Sequence, residues 1–218
     1  MDESVSTYTV VLASASPRRR DLLNEIGIEP IIIPADIDET PKSSESPIAF
    51  ANRMAKEKAY PIARHVLEQR IPEIHKVAHP FAVIAADTVV DLDGQIFGKP
   101  VDDDDARRML RALSGRTHRV HTAVVVVAGT GEAFHDVVTS LVTFVPVTDQ
   151  LLEWYIATGE PDDKAGAYAI QGQGGILVDK VQGSMSNVVG LPVTETVRLL
   201  ERAGFPLHTL PGSGFPSV

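Results

Sequence analysis

The chain has no cysteine among its 218 residues. That excludes disulfides, thiolate catalysis, iron–sulfur clusters and cysteine-ligated zinc, agrees with a reducing compartment, and leaves only oxygen or histidine to hold a metal. No apolar run approaches the roughly 20 residues that span a bilayer, and the start Met1-Asp2-Glu3-Ser4 is acidic and polar, unlike a secretory leader. The expectation is a soluble, cytoplasmic protein that engages no membrane. An excess of positive charge is missing too. The net charge is −9 and the isoelectric point near 5.2, which argues against a nucleic-acid partner, since coating that backbone takes many phosphate neutralisations. Basic residues of the first half fall in short clusters, which suits a compact polyphosphate better than a polymer.

Several catalytic signatures are absent as well. Gly172-Gln173-Gly174-Gly175 lacks the spacing and Lys-Ser/Thr ending of a P-loop, and lacks the strand and acidic residue that follow a dinucleotide fingerprint. No G-x-S-x-G elbow surrounds Ser14, Ser16, Ser114 or Ser184. His118 and His121 lie three apart on a predicted strand and face opposite sides, so they do not converge on a metal. There is no repeat at a solenoid period and no long low-complexity tract.

What is present is 44% hydrophobic sequence, enough to bury one substantial core or two lobes sharing one. We expect a single domain over residues 1–218, with its core at about 10–203 and flexible tails at 1–7 and 206–218. Val10-Val11-Leu12 reads as a strand running through Ala13-Ser14-Ala15-Ser16 into a helix from Pro17 to about Ile26, with Ser16 as N-cap and Gly27 as its stop. Open N–H groups, two hydroxyls and Arg18-Arg19-Arg20 make this junction an anion site, although alone it also fits a capped helix with solvated arginines. A second strand is expected over Glu29 to Ala35, then a helix from Ser46-Pro47 to about Ala63 with Lys56 and Lys58 near its polar boundary.

Phe81 to Ala86 reads as a buried strand ending abruptly at Asp87-Thr88, where a carboxylate is costly without a partner. A hairpin centred on Asp93-Gly94 follows, then a helix from Asp102 to before Ser114-Gly115. Two long strands are expected at about Arg119 to Ala128 and Ala133 to Val145, and a helix over Thr148 to Ala157. The glycine-rich Lys164 to Gly175 looks like a site wall, Ile176 to Val178 a short strand, and Gly190-Leu191-Pro192 the entry to a last helix through about Arg202. The constellation with chemical content couples Asp38, Glu39 and Asp87 to Arg18, Lys58 and Lys99. Phosphate-bond hydrolysis needs both signs: carboxylates for Mg²⁺ or Mn²⁺ and for the attacking water, cations for phosphate charge. Taken singly, Asp38 and Glu39 read as loop surface and Lys58 as a solvated helix residue.

These residues carry a resemblance. Leu12 to Arg19, Asp38-Glu39, Ala55 to Ala59, Ala86-Asp87-Thr88, Gly98-Lys99-Pro100, Ser114 to His118, Asp163 to Tyr168 and Asn187 to Pro192 together resemble the Maf family of nucleoside triphosphate pyrophosphatases over about Val10 to Leu200. Departures are a longer stretch around Glu68 to Pro80 and the two tails. The resemblance implies an α/β fold with an elongated, curved mixed β-sheet flanked by helices, two lobes around a central cleft, commonly a homodimer. It implies hydrolysis of a nucleoside triphosphate between its α and β phosphorus atoms with a divalent metal cation. Asp87 then corresponds to the proton acceptor, with Glu39, Lys58 and Lys99 in the metal and phosphate site, Glu39 and Asp87 toward the metal. Ser14 and Arg19 fall to the substrate. Arg18, Thr88 and Gln171 stand where the family's subgroups differ, in the combination of the group that hydrolyses dTTP and UTP, with modified pyrimidine triphosphates as further candidates. A nucleotide-binding regulator of septum formation is the alternative that the resemblance brings with it.

Overall fold

A computed structural model describes residues 8–68 and 80–206. The sheet is mixed and has seven strands: β1 (Thr9–Leu12), β2 (Ile31–Ile32), β3 (Phe81–Leu92), β4 (Gln95–Phe97), β5 (Thr117–Ala128), β6 (Ala133–Phe144) and β7 (Val178–Gln182). Their order is β2-β1-β3-β5-β6-β7, with β4 also on β3. β1 runs parallel to β2 and β3, and every other pairing is antiparallel. Among the described residues six α-helices accompany it: α1 (Pro17–Glu25), α2 (Pro47–Leu67), α3 (Asp103–Leu113), α4 (Asp149–Ile156), α5 (Met185–Val189) and α6 (Val193–Arg202). The expected sheet flanked by helices is what the chain forms. The expected tails lie outside the described residues, apart from Pro206 at the start of the second.

β3 organises the molecule, because alternate side chains of a strand serve opposite faces. Val83, Ala85 and Val89 join Ala123, Val125 and Val127 of β5 under α2, which contributes Ala51, Met54, Ala55, Ala59 and Ile62. Ala82, Ile84 and Ala86 face the other way, with Leu22 and Leu23 of α1 and Leu199 and Leu200 of α6. A third cluster lies beyond the Val90 end of β3, where Leu92, Phe97, Leu110, Leu113, Phe144, Leu152 and Tyr155 pack together.

The partners of β3 also open a gap. On one side β5 pairs continuously from Ala82 to Asp91. On the other, β1 covers only Phe81 to Ile84 and β4 only Val90 to Leu92. Between them, on that side, the middle of β3 borders no strand among the described residues, and the loop leaving β1 turns there into α1. Crevices of this kind form where parallel strands end and helices begin.

Several expectations are corrected. β3 does not break at Asp87-Thr88 but passes through both as a twelve-residue strand, since its backbone stays paired to β5 there and the carboxylate finds a cation instead of an exit. The strand expected over Glu29 to Ala35 shrinks to Ile31–Ile32, a parallel edge held by two register pairs. Ser16 occupies the N-cap position of α1 without a side-chain bond; Ser14 takes the Ser16 N–H instead. The last strand begins at Val178, because Gln173–Leu177 forms a 3₁₀ turn. α2 runs past Ala63 to Leu67 with Pro61 inside it, which removes one backbone donor without ending the helix. The longer stretch around Glu68 to Pro80 lies largely at residues 69–79, outside the described ones.

His118 and His121 point to opposite faces, as their spacing requires. His121 meets Thr139 and Asp91, whereas His118 bonds the Tyr168 hydroxyl at 2.8 Å and packs edge-on to Phe144 and Tyr168. Burial lowers His118 from its ordinary 6.5 to about 4, so it is neutral in the fold near pH 7. Its contribution to stability is complete above pH 6.5. Between pH 6.5 and about 4 the unfolded chain binds a proton that the folded chain refuses, which costs about 1.4 kcal/mol per pH unit. Urea midpoints measured from pH 7.5 to 4.5 should therefore fall more steeply for wild type than for His118→Gln; equal slopes would remove His118 as the cause.

Candidate active site

The gap beside β3 opens into a cavity of about 660 Å³, within the size range of small-molecule sites. Ser14, Arg18, Arg19, Glu39, Lys58, Asp87, Thr88, Lys99 and Gln171 all line it. Asp38, the remaining member of the predicted charge constellation, does not. It is exposed and spends its carboxylate on the backbone and hydroxyl of Thr40.

Asp87 faces the α2 side of β3, in the parity of Ala85 and Val89, and there it meets Lys58. The lysine sits on the buried stripe of α2 with Ala55, Ala59 and Ile62 rather than on the solvated face. Taken singly Lys58 fits a solvated helix residue, but here it is 8% exposed, as is Asp87. Its ammonium donates to Asp87 Oδ1 at 2.6 Å and lies 2.6 Å from Glu39 Oε1. Lys99, from the turn after β4, lies 3.8 Å from the other oxygen of Glu39 and is exposed. Burial pushes the Asp87 carboxyl above its ordinary value of 3.8, and the charges of Lys58 and Arg19 oppose this without cancelling it. Burial would raise Glu39 too, but the hydrogen bond and charge of Lys58, aided by Lys99 and Arg19, hold it below its ordinary value. Two nearby carboxylates thus differ in proton affinity, which is how one site keeps a base and a permanent anion side by side.

Thr88 faces the opposite side of the sheet. Arg19 Nη2 donates to its hydroxyl at 3.2 Å, and that hydroxyl shares a 2.9 Å hydrogen bond with Thr122, directly across the β3–β5 register. Thr122 in turn donates to the Asn187 carbonyl, and the Asn187 amide reaches Ser140 and the Val120 carbonyl. Arg19 also donates from Nε to the Gly190 carbonyl and from Nη1 to Ser14 Oγ. A guanidinium has five N–H groups, so this seat leaves two for a ligand. Thr122, Asn187 and the short helix α5 escaped sequence reasoning; the only signal was the Asn187 to Pro192 motif, which carried no role by itself.

Arg18 lines the cavity from α1, 4.0 Å from Asp163 Oδ2. Gln171 projects from the glycine-rich wall and is exposed. Among the described residues no three His, Asp or Glu side chains gather as a metal cluster. The pair Glu39 and Asp87, both drawn to one ammonium, is nevertheless an oxygen donor set of the kind that a hard divalent cation shares with substrate phosphates.

The family described as Maf-like protein matches residues 9–203, and the chain belongs to that family. A relative from Anaeromyxobacter dehalogenans named dTTP/UTP pyrophosphatase is 50% identical over 91% of this chain and 95% of its own. Relatives of the same name from Myxococcus xanthus (51% identical, 91% and 94% covered) and Chromobacterium violaceum (47%, 94% and 99%) match similarly. A solved nucleoside-triphosphatase / dITP/XTP pyrophosphatase from Mycobacterium abscessus aligns over 90% of this chain and 94% of that one at 14% identity, with a TM-score of 0.41, a likeness too loose to argue from. No described helix is long and apolar enough to cross a membrane.

Proposed function

We propose that the chain is a dTTP/UTP pyrophosphatase, a hydrolase that releases pyrophosphate and the nucleoside monophosphate. The observation that carries this reading is the Glu39–Lys58–Asp87 cluster at the strandless stretch of β3, inside a cavity with further cations at Arg18, Arg19 and Lys99. The names of relatives near 50% identity supply the substrate, and favour catalysis over a nucleotide-binding regulator of septum formation. Free nucleotides rather than nucleic-acid polymers are the substrates, consistent with the net charge of −9. We extend the proposal to a cytoplasmic homodimer.

In this reading Asp87 takes a proton from the attacking water. Lys58 holds one of its oxygens and leaves the other for that water. As the water oxygen bonds to phosphorus, the P–O bond to pyrophosphate breaks and negative charge gathers on the departing group, where Lys58, Lys99 and Arg19 stabilise it. Glu39 and Asp87 would hold a divalent cation, Mg²⁺ or Mn²⁺, whose contribution when bound is to neutralise phosphate charge. Ser14, through Arg19, fixes the angle at which that guanidinium meets the triphosphate. Arg18, Thr88 and Gln171 set the choice of base: the Gln171 amide both donates and accepts, as the O4/N3 edge of thymine or uracil requires, and Thr88 acts by seating Arg19.

The test is a panel of canonical triphosphates. We expect kcat/KM for dTTP and UTP to exceed those for ATP and GTP by at least about tenfold, since a site built on specific hydrogen bonds rejects bases that leave them unpaired. Equal turnover across the panel contradicts the substrate assignment.

A further inference from the structure

The wall that carries Gln171 is held by a carboxylate that belongs to no recognised motif. Glu160 opens a 3₁₀ turn after α4, with Gly159 before it in the left-handed conformation (φ 70°). Its Oε1 accepts from the Tyr155 hydroxyl at 3.0 Å and from the Gly174 N–H at 2.8 Å, and its Oε2 accepts from the Gln173 N–H at 2.9 Å. Tyr155, fully buried at the end of α4, accepts in turn from the Ala169 N–H at 3.1 Å. The segment from Ala169 to Gly174 is therefore pinned at both ends by one tyrosine–glutamate pair, with Ile170 and Gln171 spanning the interval along the cavity.

The fit leaves no room for side chains at the pinning points. A Cβ on Gly172 would stand 2.7 Å from Glu160 Oε2, and one on Gly174 would strike the Ala169 carbonyl and the Tyr155 hydroxyl. The cluster around Asp87 carries Lys58 and, through Glu39, Lys99, whereas at this wall the carboxylate of Asp163 is matched by Lys164 and Arg18. Arg18 feels the charge of Glu160 and lies beside Asp163, so two of the three residues assigned to base choice meet at this wall.

We propose that Glu160 is the positioning residue for base recognition: with Tyr155 it clasps the Ala169–Gly174 segment so that Gln171 is presented to the base. The proposal rests on Gln171 reading the base of dTTP or UTP, as argued above.

The experiment measures kcat and KM for dTTP and ATP with wild type, Glu160→Gln, Tyr155→Phe, Gln171→Ala and the double variant Glu160→Gln/Gln171→Ala. The amide of Glu160→Gln keeps the shape but turns a donor toward backbone N–H groups that need an acceptor. We expect the dTTP-to-ATP ratio of kcat/KM to fall about tenfold, chiefly through a higher KM for dTTP, with Tyr155→Phe shifting it in the same direction by less. In the double variant Glu160→Gln should lower the ratio no further than Gln171→Ala alone. A ratio within twofold of wild type in Glu160→Gln overturns the clasp while the substrate assignment stands, and so does a fully additive double variant. Should Glu160→Gln fail to fold, the ratio in Tyr155→Phe decides by the same criterion. A wild-type enzyme without preference for dTTP over ATP overturns the substrate assignment and the clasp together.

Discussion

Asp87→Asn should lower kcat for dTTP by roughly 10²–10⁴-fold, the usual contribution of a positioned general base, while leaving the fold intact. The structure explains why the two effects separate. Asn keeps the shape of the side chain, and removing a buried carboxylate from the middle of β3 does not strand its partner, because Lys58 retains Glu39 at 2.6 Å. The strand stays paired to β5 across Ala123. In the wild type, burial raises the affinity of Asp87 for a proton. Titrated without a divalent cation, which would oppose this at a ligand, the Asp87 carboxyl should therefore take up its proton above the ordinary aspartate value of 3.8, and activity should be lost as pH falls through that protonation. A kcat near wild type in Asp87→Asn, with unchanged circular dichroism, would remove Asp87 from the mechanism.

Lys58→Ala should be damaging in a second way, costing stability as well as rate. The ammonium separates two carboxylates and is itself nearly buried. Breaking a buried ion pair by deleting one partner typically costs about 3–5 kcal/mol, since the remaining charge is left desolvated; the half-exposed Glu39 arm adds little to that. The chain can relieve the cost by protonating Asp87, which disables it as a base. We therefore expect a much lower urea midpoint at pH 7.5 and an acid limb displaced to higher pH. An unchanged limb would mean that Lys58 does not set the proton affinity of Asp87. Lys58→Arg should recover stability more than rate, because a guanidinium keeps the charge but not the geometry of a point donor.

The contrast between these residues shows what a sequence discloses. Asp87 is conspicuous because a carboxylate interrupts an apolar run, and that signal survives even though the strand does not end there. Lys58 was equally legible in principle: it follows Ala51, Met54 and Ala55 at helical spacing and precedes Ala59 and Ile62, so it lies on the buried stripe, but a lysine is ordinarily assigned to solvent. The seat of Arg19 on Thr88, Thr122 and Asn187 joins four segments whose only link is the strand register, and nothing local in the sequence announces it. Glu160 is harder still, since two of its three partners are backbone N–H groups, which every residue but proline carries. The long strands, the Asp93-Gly94 hairpin and most helices followed from periodicity and caps. The helix α5 did not, being too short to have a period, and the edge strand β2 was expected but longer than the Ile31–Ile32 pair it forms.

The most direct measurement is identification of the first products from dTTP without added pyrophosphatase, resolved over time by phosphorus-31 NMR. Hydrolysis at the Asp87–Lys58 site as described gives dTMP and pyrophosphate in equal amounts from the earliest time point, and Asp87→Asn slows both signals together by roughly 10²–10⁴-fold. Appearance of dTDP with orthophosphate as the first products, or pyrophosphate release in Asp87→Asn at close to the wild-type rate, would contradict it.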